Sequence, residues 1–325
     1  MTQVTYLKAV NDALAEAMEA DDDVFLIGED IGVYGGAYKV TEGLLQRFGP
    51  DRVVDTPISE AAIVGAALGA SLLGMRPVAE IMYMDFLSIS MDQLVTHASK
   101  LHYMSGGQLN PSFVLRTQYS LGRSHGSQHS EFLPSWFLQA PGLKVVAPSS
   151  PYDAKGLLNS ALKENGPVLF VECASLYRTK GEVPEGRYEV PLGKADLKRE
   201  GKDLTIVALS RMVPEALAAA EELHAKGVEA EVIDPRTIQP LDRDAIVQSV
   251  KKTGRLLIAS DDVKTGGVGA EIGSAVFEQA FESLKSPLSR VCSPDMPVPF
   301  SSPLEKQYMP NAEKVAKAAE QLMQW

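Results

Sequence analysis

Residues 55–60 read Asp55-Thr56-Pro57-Ile58-Ser59-Glu60 and run into the small-residue stretch Ala61 to Gly74. Pro57 stops an extended segment and Ser59 is a good N-cap, so the spacing predicts a helix through Ala61, Ala62, Val64, Ala66, Ala67, Ala70 and Leu72 to Gly74. Such a helix has almost no polar face. Gly65 and Gly69 let backbone approach closely, which predicts burial in a large core or at a subunit interface. Glu60 therefore stands at a strand-to-helix junction, in the first turn of an apolar helix. The helix dipole favours its charge there while loss of solvent opposes it, and a buried glutamate needs a partner. From spacing alone, a surface acid that caps the helix is an equally good reading.

Working outward, apolar runs alternate with helical patterns through the first half. They are Val24-Phe25-Leu26-Ile27, Val53-Val54, Pro77 to Ile81, Phe113 to Arg116, Lys144 to Ala147 and Val168 to Val171. Continuous apolar strands between helices predict a parallel sheet covered on both faces. Helices are expected at Tyr6 to Ala20, Glu60 to Leu73, Phe86 to Lys100 and Asp153 to Glu164. From Thr179 the pattern lapses into the charged, Gly- and Pro-bearing KGEVPEGRYEVPLGKADLKREGKD, a linker with one edge strand. A second α/β unit follows. The expected division is 1–180, a linker at 181–201, and 202–325.

A chain of 325 residues is long enough for two domains, and its 45% hydrophobic content is that of a globular protein. No apolar stretch reaches the roughly 20 residues of a spanning helix, and no basic-then-hydrophobic leader opens the sequence, so a cytoplasmic protein is expected. Cys173 and Cys292 lie far apart with no CxxC, which argues against zinc and against a disulfide. A net charge of −11 argues against a nucleic-acid surface. The stretch Thr265 to Gly273 has the wrong spacing for a dinucleotide fingerprint and reads as a glycine-rich helix start used for packing. No P-loop GxxxxGK[ST] occurs.

Of five histidines, His97, His102 and His224 fall on or beside helices and read as structural. His125 and His129 sit in Ser124-His125-Gly126-Ser127-Gln128-His129-Ser130, a polar loop between a strand and an aromatic-rich helix expected at Phe132 to Phe137. Loops that leave the ends of parallel strands are where α/β proteins place their chemistry, and proton transfer or anion binding suits this one.

Taken with GEDIGVYGG near the start, PGLKVVAPSSPYDAKGLL in the middle and PDMPVPFSSPLE near the end, Glu60 and the His129 loop resemble one family over essentially the whole chain. It is similar to the beta subunit of the thiamine-diphosphate-dependent first component of 2-oxo acid dehydrogenase complexes, and of acetoin dehydrogenase. The resemblance implies a two-domain α/β fold, a transketolase-like pyrimidine-binding domain followed by a transketolase C-terminal-like domain. It also implies that Glu60 binds N1′ of the aminopyrimidine and favours the imino tautomer that deprotonates the thiazolium, a role suited to a raised pKa. By the same resemblance Phe86 stacks on the aminopyrimidine, Glu29 faces the cofactor, and His129 holds the substrate carboxylate and supplies a proton during acyl transfer. Two departures bear on the substrate end: His125 is outside the family motif, and Glu131 follows His-Ser where Gln is common. Some relatives bind K⁺ through backbone carbonyls, here those of Phe113, Ala161, Leu162, Glu164 and Gly166.

Thiamine-diphosphate enzymes hold the diphosphate through Mg²⁺ with a GDG motif, and this chain has none. The resemblance implies an alpha subunit that holds the Mg²⁺, an assembly of two alpha and two beta chains, and a lipoyl-bearing acyltransferase that docks on the C-terminal domain, where Asp295, Pro297, Pro299 and Glu305 are expected at the surface. The implied reaction is decarboxylation of a 2-oxo acid, or cleavage of acetoin, with reductive acylation of the lipoyl group. Competing readings are half of a split transketolase-type enzyme, which calls for a cluster of phosphate-binding bases, and a non-catalytic assembly subunit, which calls for loss of Glu60 or His129.

Overall fold

The computed structural model describes residues 1–325, which divide into two compact units, 1–120 with 136–192 and 121–135 with 193–325. In the first unit β1 (Thr2–Thr5) leads into α1 (Tyr6–Ala20), which starts where the Thr5 side chain accepts a hydrogen bond from Lys8 N at 3.2 Å. Then come β2 (Val24–Glu29), α2 (Leu44–Phe48), β3 (Val53–Thr56), α3 (Glu60–Leu72), β4 (Arg76–Ile81), α4 (Ser99–Met104), β5 (Val114–Tyr119), β6 (Lys144–Val146), α5 (Pro151–Ala161), β7 (Val168–Cys173) and β8 (Lys180–Val183). The strands lie in the order β6-β7-β5-β4-β2-β3 and all are parallel, as their unbroken apolar runs predict. The expected helix over Phe86 to Lys100 instead begins as a 3₁₀ turn, Met84–Ser90, followed by a π-helical stretch, Asp92–Ala98, before α4.

The chain passes from β2 outward to β3 and returns through β4 on the other side of β2. The sheet therefore changes winding direction between β2 and β4, and in open α/β sheets ligands bind beside the carboxyl ends of the strands at such a point. Glu29 ends β2, Thr56 ends β3 next to α3, and β4 runs into the segment of Tyr83 and Phe86.

Charged residues interrupt three of these central strands, and they meet. Arg116, 1% exposed, donates Nη1 to Glu80 Oε2 at 2.5 Å and Nε and Nη2 to the two Glu172 oxygens at 2.7 and 3.0 Å. Tyr177 donates its hydroxyl to Glu172 Oε2 at 2.8 Å. Burial pushes the Glu172 carboxyl up, with Arg116 pulling the other way; burial would lower the Arg116 pKa, but Glu172 and Glu80 hold it above its ordinary value.

In the second unit β9 (Asp196–Arg199), β10 (Leu204–Ala208), α6 (Met212–His224), β11 (Ala230–Asp234), β12 (Thr237–Gln239), α7 (Arg243–Thr253), β13 (Leu256–Val263), α8 (Val268–Ala280), β14 (Ser289–Ser293), α9 (Ser302–Tyr308) and α10 (Ala312–Leu322) follow. A five-stranded sheet runs β14-β13-β10-β11-β9, parallel except for the edge strand β9. Met212, Ala216 and Leu223 of α6 and Val315 and Ala319 of α10 pack into one core with the sheet. Where one edge strand was expected between the units, two occur: β8 pairs antiparallel with β1, and β9 edges this sheet. The glycine-rich stretch starts α8. A Cβ on Gly267 would fall 2.4 Å from Val263 O and 2.7 Å from Asp262 Oδ2, the atom that accepts from Val268 N.

Removing Arg116 leaves two carboxylates in the core without a cation. Arg116→Leu is expected to destabilise the chain by about 3–5 kcal/mol in urea unfolding, the usual cost of breaking a buried ion pair on one side; a loss below about 1 kcal/mol would show that the cluster is solvated.

Candidate active site

Glu60 opens α3, half-buried at the positive end of the helix. The helix starts with no side-chain cap from Ser59, which corrects the expectation of Ser59 as its capping side chain. The neighbours of Glu60 are acidic. Glu29, half-buried at the end of β2, has its carboxyl pushed up by burial first, then by the charges of Asp30 and Glu60. The strand register pairs Glu29 with Thr56, four residues before Glu60, which is why residues 31 positions apart share one corner.

Asp55 shapes the loop after β2. Its carboxylate accepts from Gly32 N at 2.6 Å and Val33 N at 3.2 Å, and a Cβ on Gly32 would fall 2.4 Å from Asp55 Oδ2. On the β4 side, Phe86 meets Tyr83 edge-on with ring centroids 5.9 Å apart. Tyr83 in turn meets Tyr38 at 6.2 Å, and Tyr38 lies 5.4 Å from Tyr177, the donor to Glu172. Phe86 is thus the end of an aromatic line that starts at the buried ion cluster. Only one face of α3 is buried, through Ile63, Val64, Ala67, Leu68 and Ser71, while Ala62, Ala66 and Gly69 face outward with Ile58 75% and Leu73 87% exposed. The expected burial of this helix is therefore met on one face, and the other apolar face is exposed in the single chain.

The histidine loop belongs to the second unit. The expected first domain, 1–180, includes it, yet residues 121–135 make their contacts with the C-terminal segment. Glu305 accepts from Gly122 N at 2.8 Å, Ser124 N at 2.9 Å and Ser124 Oγ at 3.2 Å, and Ser127 Oγ donates to Val298 O at 2.8 Å. This corrects the expectation of Glu305 as a surface acid for docking, because Glu305 is 2% exposed and its oxygens are used inside the unit. Asp295 does lie at the surface, accepting from Thr265 N and Oγ1.

His125 and His129 are both half-buried. Burial, then the charges of Arg123 and His129, lower the His125 pKa, and Glu305 opposes them. Burial pushes the Glu131 carboxyl up. The helix expected at Phe132 to Phe137 shrinks to a 3₁₀ turn, Pro134–Phe137, since Pro134 disfavours helical backbone at the preceding Leu133.

Around the carbonyls expected to hold K⁺, Phe113 O accepts from Val168 N at 3.0 Å, Ala161 O from Glu164 N at 3.2 Å and Leu162 O from Arg76 Nη1 at 3.0 Å, while the Glu164 side chain pairs with Lys144. Each of these three carbonyls keeps a second lone pair beyond the hydrogen bond it accepts, and the ion enters no step below. No group of three His, Cys, Asp or Glu side chains is placed to hold a metal ion. The acidic corner and aromatic edge do suit a pyrimidine ring with a protonatable nitrogen. Sequence reasoning did not reach Tyr38, Tyr83, Arg116 or the inward role of Glu305. The signal for Arg116 was present, as a charge inside an otherwise apolar strand.

The transketolase pyrimidine-binding domain family matches residues 2–180, and the transketolase C-terminal domain family matches residues 193–315. The beta subunit of acetoin:2,6-dichlorophenolindophenol oxidoreductase from Bacillus subtilis (strain 168) is 44% identical, covering 97% of this chain and 96% of its own. From the same organism, the 2-oxoisovalerate dehydrogenase subunit beta is 42% identical and the pyruvate dehydrogenase E1 component subunit beta 43%, each over the full length of both chains. A solved structure of a split-gene transketolase, an inactive β4 tetramer, superposes with a TM-score of 0.80 at 24% identity, over 99% of this chain and 98% of that one, which shows the shared fold.

Proposed function

The chain belongs to the family of 2-oxo acid and acetoin dehydrogenase E1 beta subunits, in which the pyrimidine-binding domain implies thiamine diphosphate, and we propose that it supplies the pyrimidine half of that cofactor's site. With an alpha subunit it decarboxylates a 2-oxo acid or cleaves acetoin and passes the acyl group to a lipoyl arm of a partner acyltransferase. The observation that carries this reading is the meeting of Glu60 with Glu29 at the carboxyl ends of β2 and β3, beside the winding reversal of the sheet.

When bound, thiamine diphosphate supplies an electron sink that the side chains lack. Glu60 holds a proton at the pyrimidine nitrogen. Beside it the Glu29 carboxyl is pushed up by burial first, then by the charges of Asp30 and Glu60. Phe86, braced edge-on by Tyr83, offers its ring to the pyrimidine. His129 holds the substrate carboxylate and gives a proton late in the cycle, with Arg123 adding positive charge to the same loop.

The diphosphate and its Mg²⁺ fall to the alpha subunit, since neither a GDG motif nor a metal-binding side-chain group is present here. The exposed Ala62, Ala66 and Gly69 face of α3 suits close packing by that partner. Surface acids of the second unit, Asp295 among them, dock a basic segment of the acyltransferase, in keeping with the net charge of −11.

Three measurements test the proposal. The purified chain alone is expected to turn over neither 2-oxo acids nor acetoin until an alpha subunit and Mg²⁺ are added; decarboxylation by the chain alone refutes the half-site. In the assembled enzyme Glu60→Gln should slow solvent exchange of the cofactor's thiazolium proton by about 10²-fold or more, with assembly by sedimentation intact. An unchanged exchange rate returns Glu60 to helix capping. His129→Ala should leave that exchange near normal and cut transfer to the lipoyl domain by about 10²-fold, so equal losses in both steps would mean that His129 acts on the cofactor instead.

A further inference from the structure

Glu305 is a buried carboxylate with no cationic partner among its hydrogen bonds. An anion in that position needs donors, and all three come from the histidine loop: Gly122 N, Ser124 N and Ser124 Oγ. The loop is bent to provide them. Gly122, Ser124 and Gly126 have φ of +89°, +58° and +77°, which turns successive N–H groups toward one side and makes a cradle for a carboxylate. Gly122 and Gly126 take that shape freely. Ser124 takes it at a cost and keeps it because Glu305 fixes both its amide and its hydroxyl.

The same segment closes the loop from a second direction. The Ser127 hydroxyl is spent on Val298 O, and the Phe300 ring stands 3.1 Å from where a Gly126 Cβ would lie, a close contact at a position whose φ of +77° favours glycine. Residues 298–305 therefore clasp residues 122–127 by two polar anchors and one aromatic contact. His125 lies inside the clasped stretch and His129 two residues beyond it.

We propose that Glu305 is a positioning residue for the substrate end of the site, fixing the loop so that His125 and His129 are presented together and balancing the positive charge that Arg123 brings there. It deepens the functional reading above and rests on it where substrate is concerned. The charges facing His125 are Arg123 and His129, which oppose its protonation, and Glu305, which favours it. Loss of the Glu305 charge then lowers the affinity of His125 for its proton.

The test uses the full chain and its complex with the alpha subunit. Glutamine at 305 can accept one amide hydrogen but turns a donor toward the other. In Glu305→Gln the His125 resonance, assigned by its loss in His125→Gln, should titrate lower than in wild type by about half a unit. In the assembled enzyme KM for the 2-oxo acid or acetoin should rise and acyl transfer should fall by about tenfold or more, while exchange of the cofactor's thiazolium proton stays near wild type. Glu305→Asp restores the charge without the reach, so it should return the His125 titration toward wild type and leave KM raised. A folded Glu305→Gln with either an unchanged His125 titration or unchanged KM and kcat overturns the proposal. Should Glu305→Gln fail to fold, Ser124→Ala decides: it removes one of the three hydrogen bonds, a few-fold rise in KM upholds the role, and an unchanged KM ends it. Absence of any turnover by the wild-type complex would fail the functional reading alone, because the histidine titration needs no activity.

Discussion

Arg116 is the fixed point of the first unit. One guanidinium uses its forked geometry to satisfy two carboxylates from neighbouring strands, Glu80 on β4 and Glu172 on β7, with β5 between them. Each of those side chains alone would be costly in a parallel sheet covered on both faces. Together they set the relation of three central strands at their carboxyl ends, where a wholly apolar core would allow slippage of packing without loss of contact. The cluster sets two carboxyl groups against one guanidinium, and the Tyr177 hydroxyl adds a further donor to Glu172.

From that hydroxyl the constraint passes to the surface by ring contact. Tyr177 packs on Tyr38, Tyr38 on Tyr83, and Tyr83 on Phe86. Tyr38 comes from the loop after β2, and Tyr83 and Phe86 from the turn after β4, so the aromatic line spans the two strands between which the sheet reverses its winding. On the far side of β2 the register places Glu29 beside Thr56 and carries α3 and Glu60 with it. Ring and carboxylate are thus held by separate devices. A flat heterocycle with a basic nitrogen suits such a pair, an aromatic ring that follows β4 and an acid that follows β3 on the other side of β2.

How much of this was legible in the sequence depended on range. Local signals named most elements: apolar runs gave the parallel strands, and Ser150 and Asn311 cap α5 and α10 through their side chains in the ordinary way. Glu60 stood out because an acid beside a run of Ala and Gly is chemically odd, and the family motif placed His129. The segment over residues 84–98 defeated helical periodicity, because 3₁₀ and π turns change the repeat while leaving composition helical. The Arg116 cluster joins residues 36 and 56 positions apart, and no local pattern says which buried charge will meet which.

Glu305 shows the same limit in reverse. An acid in a proline-rich, polar segment has the composition of a surface, and Asp295, ten residues earlier, does lie there. What separates the two is the partner. Thr265 meets Asp295 at the edge of the fold, whereas Glu305 meets a loop whose backbone amides have been turned inward by left-handed residues. A carboxylate buried against amides from a loop of histidines couples loop shape to local charge, since any movement that frees the amides also removes the anion from beside His125. The acidity of the chain is accordingly of two kinds. Surface carboxylates contribute to a long-range field that salt can screen, while Glu172 and Glu305 act over short hydrogen bonds, where position in the fold decides what each can do.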